Sequence, residues 1–510
     1  MITIDGTSLT IEQVVAAAKH GEIVQLDPTA ETRVQESHSW VQEIVGGDNA
    51  VYGINTGFGI FADRQISPED TAALGRNLIL SHAVGTGADL PKEIVRAAML
   101  IRANTLASGY SGVRLTVIHT LLEMLNKGVA PLIPAQGSLG SSGDLAPLSH
   151  LCLVMTTDQH DRDEDSGMAL HNGKKFSGKA AMQAAGIARL ELGPKEGLAL
   201  TNGATFSAAI AALNLHLAAI LIDTAEVSLS MSLEALLGAS AAFDERIHKV
   251  RHHPGQIKVA ERVRQLTKGS KLLDAAGRVQ DAYSLRCAPQ VQGPASEALQ
   301  YVWQIIEREI NAVTDNPLLF GSGDSLSGGN FHGEPVGLAM DTLKVPMAEV
   351  GAIAERRVFH LTDGKMNSGL PPMLVDSPEA AGLHSGMMMP QYTAASLVLE
   401  NQSLAIPDSI YSLPTSGGKE DHNANAMTAS RRMRKLLKNL AHIIAIEAYT
   451  AARALDLRMR DKPEASLGAG VSQAHATIRE AVPYGGADAW WGPEIETVKA
   501  IILEGDLQIQ

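Results

Sequence analysis

Apolar residues fall at helical spacing along most of this chain. Met1–Leu26 opens with a short strand-like run and a helix over Ile11–His20, and Pro68–Lys127 carries apolar i, i+3, i+4 sets such as Val95, Met99 and Ile101–Leu106. Further on the pattern predicts long helices over Ala204–Leu237, Ser296–Val313, Ala339–Leu361, Tyr392–Ser403 and Ala424–Ala454, enough for a bundle. Irregular stretches separate them. Val51–Ile66 is rich in glycine, and Pro131–Asp144 is a loop punctuated by proline and glycine. Asp144 is placed to cap a helix over Leu145–Met155. Thr156–Asp165 reads as a charged surface turn, and Asn172-Gly173 between two short runs signals a hairpin. After Lys462 the chain turns to shorter pieces that end in a Trp490-Trp491 segment. The expected fold is all-α: an N-terminal region over 1–200, a central long-helix bundle over 201–460 and short C-terminal helices over 461–510, with minor β-hairpins. No internal repeat and no low-complexity linker interrupts it.

Composition supports helices, since aromatics make up only 4% of the 510 residues while Ala, Leu, Met and Gly are abundant. The longest apolar run, Ala208–Ile222, is broken by Asn214 and His216, which suits a core helix better than a membrane span. The formal net charge of −14 argues against a nucleic-acid partner. The first residues lack a basic stretch followed by an apolar one, so no signal peptide is expected and the cytoplasm is the expected compartment. Cys152 and Cys287 are the only cysteines and lack metal-ligand spacing, so they read as free thiols.

The segment with most chemical content is Gly137-Ser-Leu-Gly-Ser-Ser-Gly-Asp-Leu-Ala-Pro-Leu-Ser-His150. At its centre, Ser141-Ser142-Gly143 can build an electrophile from backbone. The glycine nitrogen has no side chain beside it to block its attack on the carbonyl of residue 141. That attack closes a five-membered ring, and loss of water turns the Ser142 side chain into an exocyclic methylidene. The product is a 4-methylidene-imidazole-5-one (MIO), an electron sink that no ordinary side chain supplies. The segment resembles the prosthetic-group loop of the aromatic amino acid ammonia-lyase family, in particular its histidine-directed branch. Ser141 stands where the family usually has Ala. Its side chain hangs off the ring and takes no part in the dehydration.

Other segments from Tyr52 to His422 resemble the same family. By themselves they are bland: a glycine-rich loop that fits neither phosphate-binding fingerprint, a histidine on a helical stretch, an Asn-Gly turn, a surface arginine. The resemblance gives them roles. In Tyr52-Gly-Ile-Asn-Thr-Gly-Phe-Gly59, Tyr52 is implied as the general base. In Asn77-Leu-Ile-Leu-Ser-His82, the Ser81-His82 pair looks like the histidine-directed version of the selectivity position, so His82 is expected to contact an imidazole. Asn202, closing Gly197-Leu-Ala-Leu-Thr-Asn202-Gly203, is expected to orient the prosthetic carbonyl. Gln280-Asp-Ala-Tyr283-Ser-Leu-Arg286 is implied to supply Gln280 and Tyr283 to the prosthetic environment and Arg286 as a bidentate clamp on the substrate carboxylate. Phe331 in Gly329-Asn-Phe-His-Gly-Glu334 is expected beside the prosthetic group. Glu420 is the acid that histidine-specific members place against the imidazole. Lys419, where Gln is usual, is expected at the substrate pocket. Glu420-Asp421-His422 cannot all face one ion from a regular element, so no metal is expected.

The implied activity is elimination of ammonia from L-histidine to give trans-urocanate, by a homotetramer whose sites draw on more than one subunit. Three alternatives stand beside it: a lyase for a modified histidine such as an N-trimethyl betaine, an MIO-dependent histidine 2,3-aminomutase, and a helical scaffold in which Ser142 never cyclises.

Overall fold

Local side-chain chemistry sets the element boundaries. The computed structural model describes residues 1–46, 51–57, 64, 66–67 and 70–509, with backbone alone at 71 and 72. Thr10 opens the helix Ile11–Lys19 with a reciprocal cap: Gln13 N donates to Thr10 Oγ1 at 3.2 Å and Thr10 N donates to Gln13 Oε1 at 3.0 Å. Asp27 caps Pro28–Val45, with the proline in the first helical turn where its missing N–H costs nothing.

Helix dominates. The five predicted long helices are present as Thr205–Ala235, Ala288–Glu309, Glu334–Thr362, Met388–Leu404 and Ala426–Asp461. The second starts before its predicted Ser296 because Pro294, which reads in sequence as a boundary, sits inside the helix. Thr205–Ala235 is, among the described residues, the one helix long and apolar enough to cross a membrane, and 83% of its most apolar stretch is buried in protein. A helix apolar on all sides is one that packs on all sides. Strands form only short ladders of two or three among the described residues. The predicted hairpin pairs Met168–His171 with Lys174–Ser177 and turns through Asn172 and Gly173, both at positive φ.

The chain divides into two compact units. One comprises Met1–His216, Trp303–Asp341 and Pro407–Arg431; the other comprises Leu217–Val302, Thr342–Ile406 and Arg432–Gln510. These interleaved segments differ from the consecutive blocks expected from chain order, because the chain returns twice to the first unit. In that unit, Lys92–Ala107 is buried from Ile94 onward, including Arg96 and Arg102. Arg96 donates to the carbonyls of Ala17, Ala18 and Leu125, in the last turns of Ile11–Lys19 and Leu115–Asn126. Its charge thereby satisfies acceptors that a helix end leaves open. In the second unit the fully buried Arg357 and Glu447 form an ion pair at 2.5 Å. Ser228 and Ser232 donate to the same carboxylate at 2.9 and 2.8 Å, which supplies the further hydrogen bonds a buried pair requires.

Candidate active site

Backbone holds the 137–144 loop in place. Gly143 and Gly203 lie side by side: Gly203 N donates to Ser142 O at 3.2 Å, and Asp144 N donates to Gly203 O at 2.9 Å. Gly143 has φ +81°, and a Cβ added there would lie 2.1 Å from the Gly203 carbonyl carbon. Only glycine meets both conditions. Gly143→Ala is therefore expected to displace the loop, lowering Tm and abolishing activity. Calorimetry and an activity assay would check this, and an unchanged Tm with normal turnover would contradict it.

Asp144 precedes Leu145–Met155, but its side chain does not cap that helix as expected. The fully buried carboxylate accepts instead from Ser207 N at 2.7 Å and Ser207 Oγ at 2.9 Å, in the first turn of Thr205–Ala235, and from Ser138 Oγ at 2.7 Å. It caps a helix far away in sequence and ties the loop to it. Burial pushes its pKa above the ordinary carboxylate value, against the opposing pull of these hydrogen bonds. Asp144→Ala is expected to cost about 3 kcal/mol, because it strands a helix-end N–H and the buried Ser207 hydroxyl in one step. Chemical denaturation would measure it, and a loss below about 1 kcal/mol would refute the capping role.

Above the loop lies a cavity of about 950 Å³ whose walls include Tyr52, Ser141, Ser142, Asn202, Asn316, Phe331, Lys419 and Glu420. A second, of about 710 Å³, shares Tyr52, Ser142, Asn202 and Glu420 and extends to Asn77, Ser81 and His82. Residues expected at the site from six separate sequence segments thus line one connected region. Tyr52 is presented by a tight turn in which Val51 N donates to Asn55 Oδ1 at 2.7 Å and Gly53 N donates to Thr56 Oγ1 at 3.2 Å. The rest of that motif, Phe58 and Gly59, lies outside the described residues. His82 ends the helix Thr71–His82, with its Nδ1 2.9 Å from Ser81 Oγ.

Glu420 spans both loop serines: Ser141 Oγ donates to Oε2 at 3.0 Å and Ser142 Oγ donates to Oε1 at 2.9 Å. Thr415 and Glu420 bridge the base of its own loop, with Thr415 N donating to Glu420 O at 2.7 Å. Lys419 is exposed on the cavity wall. The residues at 141–143 fit the expected prosthetic ring. Gly143 lies in a cradle that a Cβ would fill, the Ser142 side chain faces the cavity, and a carboxylate receives the hydroxyl that dehydration would remove.

Asn202 lines both cavities. Its Nδ2 donates to Asn316 O at 3.0 Å and faces Asp315 Oδ1 at 3.4 Å. Both partners accept, so the amide nitrogen is turned to them. Gln280, Tyr283 and Arg286 belong to the other compact unit, and none of them lines either cavity. Tyr283 is 69% exposed, and the Arg286 guanidinium lies over its ring at 4.6 Å while Nε donates to Asp281 O at 3.0 Å.

Sequence reading missed several lining residues. Arg64 and Asn316 sit in stretches without periodicity, and Asp315-Asn316-Pro317 reads only as a turn. His332 and His422 stack with ring centroids 5.9 Å apart, and both fall inside segments singled out for a neighbouring residue.

The comparisons agree with this geometry. The sequence profile described as "Aromatic amino acid lyase" matches residues 9–480. A histidine ammonia-lyase from Caldanaerobacter subterraneus subsp. tengcongensis is 47% identical over 94% of this chain and 92% of its own. Among solved structures, histidine ammonia-lyase from Trypanosoma cruzi superposes with a TM-score of 0.90 at 35% identity, covering 99% of this chain and 94% of the other. Ergothionase from Treponema denticola, an ergothioneine-degrading enzyme, superposes with a TM-score of 0.90 at 30% identity, covering 99% of each. Sequence match, fold and the gathering of the motif residues around one loop converge, and the chain belongs to the aromatic amino acid lyase family of carbon–nitrogen lyases.

Proposed function

We propose that this enzyme eliminates ammonia from L-histidine to give trans-urocanate, using an MIO group formed autocatalytically from Ser141, Ser142 and Gly143. The observation that carries the reading is the shared cavity wall of Tyr52, Ser142, Asn202, Glu420 and His82. When formed, the group supplies an electrophile for the substrate's amino nitrogen, making ammonia a better leaving group. The chain's own residues do the rest. Tyr52 takes the β-proton. A phenol ordinarily titrates near 10, so the bound state must favour its phenolate. His82 and Glu420 hold the imidazole. The Ser142 hydroxyl that now holds Glu420 Oε1 is the one dehydration removes, so maturation releases that oxygen to a ring N–H. Phe331 packs beside the prosthetic group.

Arg286 clamps the substrate carboxylate from another subunit, together with Gln280 and Tyr283. The exposure of Gln280 and Tyr283 on their own unit, with Arg286 half-buried beside them, supports this, and so does the exposed apolar face of Met388–Leu404, where Met389, Tyr392 and Leu399 are each at least 60% exposed. A homotetramer with shared sites would cover both.

One observation favours a second reading. Lys419 puts a cation beside Glu420 on the cavity wall, where Gln is usual, and so alters the pocket that receives the substrate, which keeps a modified histidine as the second reading. An ultraviolet assay across histidine, its N-methylated betaines, phenylalanine and tyrosine separates the two. Histidine is expected to have the highest kcat/KM with urocanate as product. A higher value for a betaine would shift the substrate, and β-histidine as product would make the enzyme an aminomutase.

A further inference from the structure

Beneath Asn202 lies an ion pair that takes no part in the chemistry described so far. Lys195 and Asp315 are fully buried, with Lys195 Nζ 2.5 Å from Asp315 Oδ2. Lys195 stands in a left-handed conformation at φ +71°, just before the short helix Glu196–Thr201 that ends at Asn202. A lysine in that backbone region is held there by its surroundings. Two buried charges are costly, and their attraction repays this only with good geometry and satisfied remaining groups. Here the carboxylate's second oxygen is satisfied from the cavity wall. Asp315 Oδ1 accepts from Asn316 N at 2.7 Å and faces Asn202 Nδ2 at 3.4 Å. On the other side of Asn202, the buried Arg102 donates to its backbone carbonyl and to Thr205 Oγ1, and to Ala199 O at 3.1 Å.

These contacts fix both ends of Asn202. The backbone is pinned by Arg102, and the side-chain nitrogen is held by Asp315 and Asn316. What remains is Oδ1. Among the described residues no donor reaches it, and Asn202 lines both cavities. An amide held this way offers the cavity an acceptor. In a site that handles an amino acid, the group that needs a fixed acceptor is the ammonium.

We propose that Lys195 and Asp315 are positioning residues that set the polarity of Asn202, turning its amide oxygen into the cavity to receive the amino N–H of the substrate. The pair acts through Asn202 and touches no substrate. This rests on the amino acid reading of the site given above.

The test uses full-length Ser142→Ala protein, which cannot complete the prosthetic group, and calorimetric binding of two ligands. L-histidine carries the ammonium, and imidazole-4-propionate lacks it. Replacing both partners (Lys195→Met with Asp315→Leu) removes the charges together and leaves neither one unpaired. The pair-less protein is expected to bind histidine about tenfold more weakly, in keeping with a lost charge-assisted hydrogen bond, and imidazole-4-propionate within about twofold. Adding Asn202→Ala to it should cost nothing further, because two groups acting as one unit are not additive. Equal weakening for both ligands, or no weakening, overturns the proposal and leaves the histidine reading standing. Absence of urocanate formation from histidine by the parent protein overturns that reading, and this proposal with it. Should the double variant not fold, Asp315→Asn keeps the shape and a partner for Lys195 and is expected to show the same selective loss. If it too weakens both ligands alike, the pair is structural only.

Discussion

Replacing Ser142 with alanine is expected to reduce turnover by at least about 10³-fold, the scale of removing a covalent-catalysis group, while leaving the fold intact. The side chain makes one hydrogen bond, to Glu420 Oε1, so its loss costs about 1 kcal/mol or less. Gly143, Gly203 and Asp144 hold the loop through backbone and through a carboxylate that the substitution does not touch. Chemistry and stability therefore separate at this position. Alanine has no hydroxyl to lose, so the methylidene cannot form. Intact mass gives an independent reading. The parent is expected to weigh two waters less than its sequence, about 36 Da, and the variant is expected not to lose the second of them. A parent at its full sequence mass would show that the ring never forms and would remove the enzymatic reading. A Ser142→Ala protein with near-normal turnover would do the same. Ser141→Ala makes the contrast: it loses a comparable hydrogen bond to Glu420 Oε2, yet keeps the dehydrating hydroxyl and should stay active.

How much of this was legible in the sequence follows from the range of each signal. The long helices were readable because periodicity is local, and their errors sit where a proline was kept inside a helix, as Pro294 was. The site residues were readable through family resemblance, each from its own short motif. Motifs place a residue on a wall but do not orient it. Asp144 sits at a cap position yet caps the helix beginning at Thr205, a choice made by tertiary packing. Asn202 was identified, but the direction of its amide depends on Asp315 and Asn316, more than a hundred residues on, in a turn without a pattern of its own. The Lys195–Asp315 pair was invisible for the same reason. A lysine and an aspartate distant in sequence look like surface charges until the fold buries both.

Tyr52→Phe carries the second large effect. The substitution removes one oxygen and keeps the ring, so cavity shape and substrate binding should persist and KM should change by no more than a few-fold. A general base contributes about 10²–10⁴ to rate, and kcat is expected to fall by that factor. The pH profile distinguishes a base from a merely packed tyrosine. A base acts when deprotonated, so parent kcat should rise with pH through the phenol's pKa and level off above it. In the phenylalanine protein the small residual rate should lose that rise. The turn that presents Tyr52 is closed by Asn55 and Thr56 and does not depend on the phenol for those bonds, so Tm should stay near the parent value. Intact mass should still be short by two waters, which would show that the prosthetic loop matured and that the defect lies in proton transfer. If Tyr52→Phe instead keeps kcat and its rising limb, the proton goes to another group on the same wall, and His82 is the first to be replaced in turn.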